Sequence, residues 1–127
     1  MPFASGIILP KRLYNGQLSN SNATLYTVPA GSGNTGCMTI VKSFWILNCD
    51  SSDHTYTIYH VVAGGSAADS NALFKTITIL ANSVERIPCS NAMSTSMVSG
   101  TLTGDTIQGL ADTSNKVTLH IYGVEVT

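Results

Sequence analysis

Two runs of β-branched and aromatic residues dominate the pattern of this chain. They are Thr39-Ile-Val-Lys-Ser-Phe-Trp-Ile-Leu-Asn48 and His54-Thr-Tyr-Thr-Ile-Tyr-His-Val-Val62, and they flank the polar patch Asp50-Ser-Ser-Asp53. Such side chains suit a pleated, half-buried surface, and Asp and Ser bond their own backbone in turns. The stretch predicts a β-hairpin at the centre of the core, holding the only Trp. Phe44 and Trp45 are adjacent, so they point to opposite faces and at least one is buried.

Shorter runs continue the pattern. Thr24–Val28 reads as a strand stopped by Pro29-Ala-Gly31. Leu73–Leu80 alternates, with Ile77 and Ile79 on one face and Thr76 and Thr78 on the other. Val84–Ile87 extends toward Pro88, and residues 90–100 fit a loop or a short helical turn. Gly104-Asp105 turns into the strand Thr106–Ala111, and Val117–Val126 closes the chain with Val117, Leu119 and Ile121 facing in. Strands at this spacing, with turn signals between them and no helical period, predict an all-β antiparallel sandwich of jelly-roll type.

Residues 1–22 break this rhythm. Pro2, Gly6, Pro10 and Asn15-Gly16 interrupt regular structure, yet Ile7, Ile8, Leu9, Leu13 and Tyr14 are apolar. We therefore expect an extended N-terminal arm over 1–22 and one sandwich domain over 23–127. An arm too short to build its own core needs a partner to bury such residues. Ile7, Ile8, Leu9, Lys11, Arg12 and Tyr14 are the candidate interface residues.

Composition narrows the function. At 127 residues the chain is one domain that can bury a core without staples. Only 10% of residues are charged, against roughly 25% on average, so Ser, Thr, Asn and Gly must cover the surface. That suits faces that meet other protein. A formal charge of −1 argues against direct nucleic-acid binding. The apolar runs are too short for a membrane helix, and no basic start precedes an apolar run as in a secretion signal, so cytosolic synthesis is expected. The three cysteines, Cys37, Cys49 and Cys89, show no paired spacing and read as buried, reduced thiols.

Candidate chemistry is sparse. The chain has no Gly-x-Ser-x-Gly elbow, phosphate loop or paired carboxylates, and its three His are scattered. Asp53-His54 beside Ser51 reads as a turn, and His60 and His120 as strand residues. No catalytic residue, cofactor or metal is expected.

Several phrases carry a resemblance. Pro10-Lys-Arg-Leu-Tyr14, Ala23-Thr-Leu-Tyr-Thr-Val-Pro-Ala-Gly31, Val41-Lys-Ser43, Asn48-Cys-Asp50, His54-Thr-Tyr-Thr-Ile-Tyr59, Gly104-Asp-Thr-Ile-Gln-Gly109 and the ending Val117–Val126 resemble small β-sandwich virion proteins of tailed bacteriophages. The resemblance implies a non-enzymatic structural protein of the virion, assembled in the host bacterial cytoplasm. We expect a capsid decoration (cement) protein, bound to the major capsid protein or other virion proteins. A homotrimer follows from the threefold sites of capsids. The alternative is a tail-tip, baseplate or fibre component that binds host carbohydrate through exposed Tyr56 or Tyr59.

Overall fold

In a computed structural model that describes residues 8–30, 36–98 and 100–126, the chain forms nine strands. They are β1 (Ile8–Gln17), β2 (Ala23–Thr27), β3 (Met38–Asn48), β4 (His54–Val61), β5 (Ala72–Ile79), β6 (Val84–Val98), β7 (Thr101–Gly104), β8 (Thr106–Ala111) and β9 (Val117–Val126). One sheet has the order β1-β9-β3-β6-β7 and the other β2-β8-β4-β5. Every ladder is antiparallel, and the pairs nest: β1 with β9, β2 with β8, β3 with β6, β4 with β5. A long ribbon of paired strands, rolled so that each pair alternates between two sheets, is a jelly roll.

Period-2 patterning explains which faces meet. In β9, Val117, Leu119, Ile121, Gly123 and Glu125 are buried while the residues between them are not. In β8, Ile107, Gly109 and Ala111 point inward. Gly109 is small for a reason: a Cβ there would lie 2.9 Å from Ile58 Cδ1 and 3.0 Å from the Thr57 carbonyl oxygen. The inner faces bury Val41, Phe44 and Ile46 of β3 against Tyr56 and Ile58 of β4, with Leu18, Val28, Ile79 and Met93 filling the ends.

The expected hairpin over Thr39–Val62 does not form. β3 pairs with β6 and β9, whereas β4 pairs with β5 and β8 in the opposite sheet. Residues 49–53 are a corner that carries the chain between sheets, and the return corner between β5 and β6 lies beside it. Backbone bonds stitch the two: Asn48 N–H donates to the Ser83 carbonyl at 2.9 Å, and Asn82 N–H to the Asp50 carbonyl at 3.0 Å. The Asn48 side chain donates to the carbonyls of Ser52, Ile79 and Leu80 and accepts from the Asp50 N–H. The other crossings are stitched likewise. Leu18 N–H donates to Val117, Ala111 N–H to Ser19, and Val28 N–H to Asp105. The Asp105 carboxylate accepts from the Ala63 and Ser94 N–H groups.

Two further expectations change, and the one for Phe44 and Trp45 is met. Residues 90–98 are strand, because β6 runs through Pro88. That proline sits where β3 bulges between Val41 and Ser43, so its missing N–H costs little. Trp45 is on the outer face at 38% exposure, and Phe44 is the buried partner at 1%. Residues 8–17 are not an extended arm: they form the edge strand β1, in register with β9 from Ile8↔Val126 to Gln17↔Thr118. An edge strand tolerates Pro10 because one side of its ladder is unpaired.

All three cysteines are free, with Cys37 buried, Cys49 exposed and Cys89 half-buried. Cys49 thus departs from the expected buried thiol. Burial pushes the Cys37 thiol pKa up. Cys37 and Cys49 flank the two ends of β3, roughly 40 Å apart along the chain at about 3.3 Å per residue. A thiol reagent should therefore label Cys49 in the native protein and Cys37 only on unfolding. Mass mapping that found a Cys37–Cys49 bridge would overturn the strand.

Candidate interaction face

The strand alternation that buries Val41 and Ile121 turns another set of residues outward on the five-stranded sheet. Register aligns them in rows. Ile8, Val126 and Met38 form one, and Pro10, Val124, Ile40 and Ala92 the next. Arg12 and Tyr122 lie beside Ser43 and Pro88, and Asn15, His120, Trp45 and Arg86 follow. Several are large, apolar and exposed: Ile8 at 66%, Val84 at 58%, Met38 at 42%, and Trp45 and Tyr122 at 38% each. Ser43, Trp45, Arg86 and Tyr122 line a shallow depression. The Arg86 guanidinium lies 5.7 Å from the Trp45 ring centroid, and His120 stacks on Tyr122 at 6.2 Å with 7° between planes. The outer face of the four-stranded sheet differs: Thr55, Thr57, Thr106 and Gln108 interrupt its apolar side chains.

The predicted interface residues are split by this geometry. Ile8, Leu9 and Arg12 are exposed on β1. Lys11 is engaged within the chain, its Nζ 3.2 Å from Glu125 Oε1. Tyr14 is half-buried and packs against the chain's own core. Ile7 lies outside the described residues. Tyr56 and Tyr59 are buried, at 1% and 9% exposure, so neither can stack on a sugar. The Tyr56 hydroxyl instead donates to Glu85 Oε1 at 3.0 Å, across the sandwich. The Tyr26 hydroxyl makes a similar bond to Glu125 Oε2 at 2.5 Å, with Thr39 Oγ1 at 2.8 Å. Burial and the adjacent carboxylate hold both phenols above their usual pKa.

His54 was legible only as a turn residue, yet the fold places it between two carboxylates. Its Nε2 is 2.7 Å from Asp50 Oδ2 and its Nδ1 is 2.9 Å from Asp112 Oδ1. Both ring nitrogens are occupied, so the imidazole has no free position from which to activate a nucleophile. It clamps two corners. The only hint in the sequence is the Asp50-to-His54 spacing; Asp112 is far along the chain. The hydrogen bond to Asp50 is the main cause of a raised His54 pKa, and the same bond lowers that of Asp50. The signs follow. The His54 contribution is full below the ordinary imidazole pKa of 6.5 and is lost as pH rises through the folded value. The Asp50 contribution is present above its ordinary 3.8 and is lost as pH falls through its folded value. Melting temperature should therefore be highest between those two ordinary values and fall on the alkaline side. His54→Gln should flatten that alkaline fall in a melting series across pH. An unchanged slope would remove the clamp.

No protein-family model matches the chain, and no curated protein does. Solved structures do. A chain of the T13 particle of infectious bursal disease virus aligns with a TM-score of 0.50 at 10% identity, covering 94% of this chain and 30% of that one. The Gx strain of the same virus gives 0.49 at 12%, covering 94% and 31%. The tobacco streak virus coat protein dimer gives 0.40 at 12%, covering 95% and 84%. The likeness is one of fold. This chain spans about a third of the length of the infectious bursal disease virus chains.

Proposed function

We propose that this chain is a non-enzymatic structural subunit of a virus particle, working through broad contacts between protein faces. The observation that carries this reading is the outer face of the five-stranded sheet, where Ile8, Met38, Trp45, Val84 and Tyr122 are exposed together. Contiguous apolar surface of this kind marks an interaction site. The jelly roll supports it, since viral capsid domains are among the main users of this fold.

Within that role, the phrases shared with tailed-phage virion proteins favour a capsid decoration protein. It would sit on the outer shell as a trimer, bound to the major capsid protein and assembled in the bacterial cytoplasm. Ile8 and Arg12 on the outer face of β1 would belong to its contact surface, with Leu9 exposed on the opposite side of the same edge strand. A tail-tip, baseplate or fibre role is the second reading. It is favoured by the open aromatic depression of Trp45, Tyr122 and Arg86, which could take a sugar ring where Tyr56 and Tyr59 cannot. Quantitative mass spectrometry of purified particles separates them. A decoration protein scales with the shell subunits, and a tail part is present in few copies. Absence from purified particles would reject both.

A further inference from the structure

Charge on the proposed contact face is one-sided. Among the described residues, Lys11 pairs with Glu125, Lys75 with Asp69, and Lys116 lies 3.9 Å from Asp50. The other three cations, Arg12, Lys42 and Arg86, have no carboxylate at ion-pair distance within the described residues. All three belong to the five-stranded sheet: Arg12 pairs with outward Tyr122, Arg86 with outward Trp45, and Lys42 stands exposed in the β3 bulge. The acidic residues of these strands are turned away. Glu85 reaches inward to Tyr56, and Glu125 to Tyr26 and Lys11.

We infer that this face docks a different protein, one that presents an apolar surface carrying Asp or Glu carboxylates opposite Arg12, Lys42 and Arg86. This rests on the structural role proposed above and names the chemistry of the partner. A second copy fits poorly. In a two-fold, face-to-face pairing the same patch meets itself, so these cations would be desolvated against one another with no anion between. The apolar side chains between the cations also distinguish the face from a phosphate-binding one, which needs a continuous basic footprint. Trp45, with Arg86 stacked over it, supplies the aromatic and Arg anchors typical of interface centres.

The test uses intact particles and a zero-length carbodiimide, which joins an amine to a carboxylate in direct contact. Lys42 should be coupled to an Asp or Glu of another virion polypeptide. Added to particles lacking this chain, the Arg86→Glu and Lys42→Glu variants should each need about tenfold more protein for half occupancy. Trp45→Ser should weaken occupancy similarly, while raised salt should weaken the wild type more than the Lys42→Glu variant. Unchanged melting temperatures of the free variants would show that folding is not the cause. Coupling of Lys42 to a second copy of this chain would overturn the inference, because the occupant would then be a second copy. Absence of Lys42 coupling with full occupancy by the charge-reversed variants would overturn it too, while leaving the virion role standing. If the chain is missing from particles, the virion role itself falls and takes this inference with it.

Discussion

Replacing Phe44 with alanine is expected to remove about 3–5 kcal/mol of folding stability, the usual cost of truncating a buried phenylalanine. Phe44 leaves β3 toward the inner face and is 1% exposed. Its ring meets Phe74 of the opposite sheet edge-on, with centroids 5.4 Å apart at 85°. Phe74 in turn meets Tyr56 at 6.3 Å and 66°. The three rings join the two sheets, so no neighbour can collapse into the gap without moving a strand. A domain with a net stability of roughly 5–15 kcal/mol would lose a large part of it. Urea unfolding followed by the emission of the single Trp measures the loss. Trp45→Ala, followed by circular dichroism, is the control. Its side chain lies on the outer face, so it should cost far less in the free chain. A Phe44→Ala loss smaller than that of Trp45→Ala would mean that inner and outer faces had been exchanged.

That comparison shows how far patterning reaches. Alternation reveals that two adjacent residues face opposite ways. It does not say which face is inside when both carry large apolar groups, and in β3 both do. In β9 only one face is strongly apolar, so Val117, Leu119 and Ile121 were readable at once. In β5 the same reasoning placed Ile77 with Ile79, yet Ile77 is exposed and only Ile79 is buried. The shared face was read correctly, since Ile77 pairs with buried Tyr56 and Ile79 with buried His54; β5 is an edge strand, and alternation does not say how much of an edge its neighbours cover. Strand partners were less legible still. The patch Asp50-Ser-Ser-Asp53 has the chemistry of a hairpin turn and of a corner alike. The residues that decide are those of the return corner at 80–83, which no local pattern ties to it. β1 was obscured by Pro10, Lys11 and Arg12, which mark both loose termini and protected edge strands. The candidate face was invisible for a related reason: its rows come from β1, β9, β3 and β6, and only the register brings them together.

The corner itself can be tested through Asn48. The residue is fully buried, and its amide meets four backbone groups of the two corners that carry the ribbon between sheets. Asn48→Ala removes the donor from the Ser52, Ile79 and Leu80 carbonyls and the acceptor from the Asp50 N–H. Unsatisfied buried groups cost about 1–3 kcal/mol each, and water can reach some of these, so a total loss of roughly 3–5 kcal/mol is expected. Asn48→Asp is the sharper variant. It keeps the acceptor for Asp50 but places a carboxylate where an NH2 faced three carbonyl oxygens. Burial and those oxygens disfavour the charged form, so the folded pKa of the new carboxyl must rise above its unfolded value of about 3.9. The sign of the pH dependence follows. The unfolded state holds the proton less tightly than the folded state, so the penalty relative to wild type is full above the folded pKa. It shrinks as pH falls through that value and is smallest below the unfolded one. Asn48→Ala carries no titrating group, and its penalty should stay nearly level over the same range. Denaturant titrations of the three proteins between mildly acidic and neutral pH read the differences directly. An Asn48→Asp penalty that does not ease on acidification would show that the side chain opens to water, and the two corners would then be held by their backbone bonds alone.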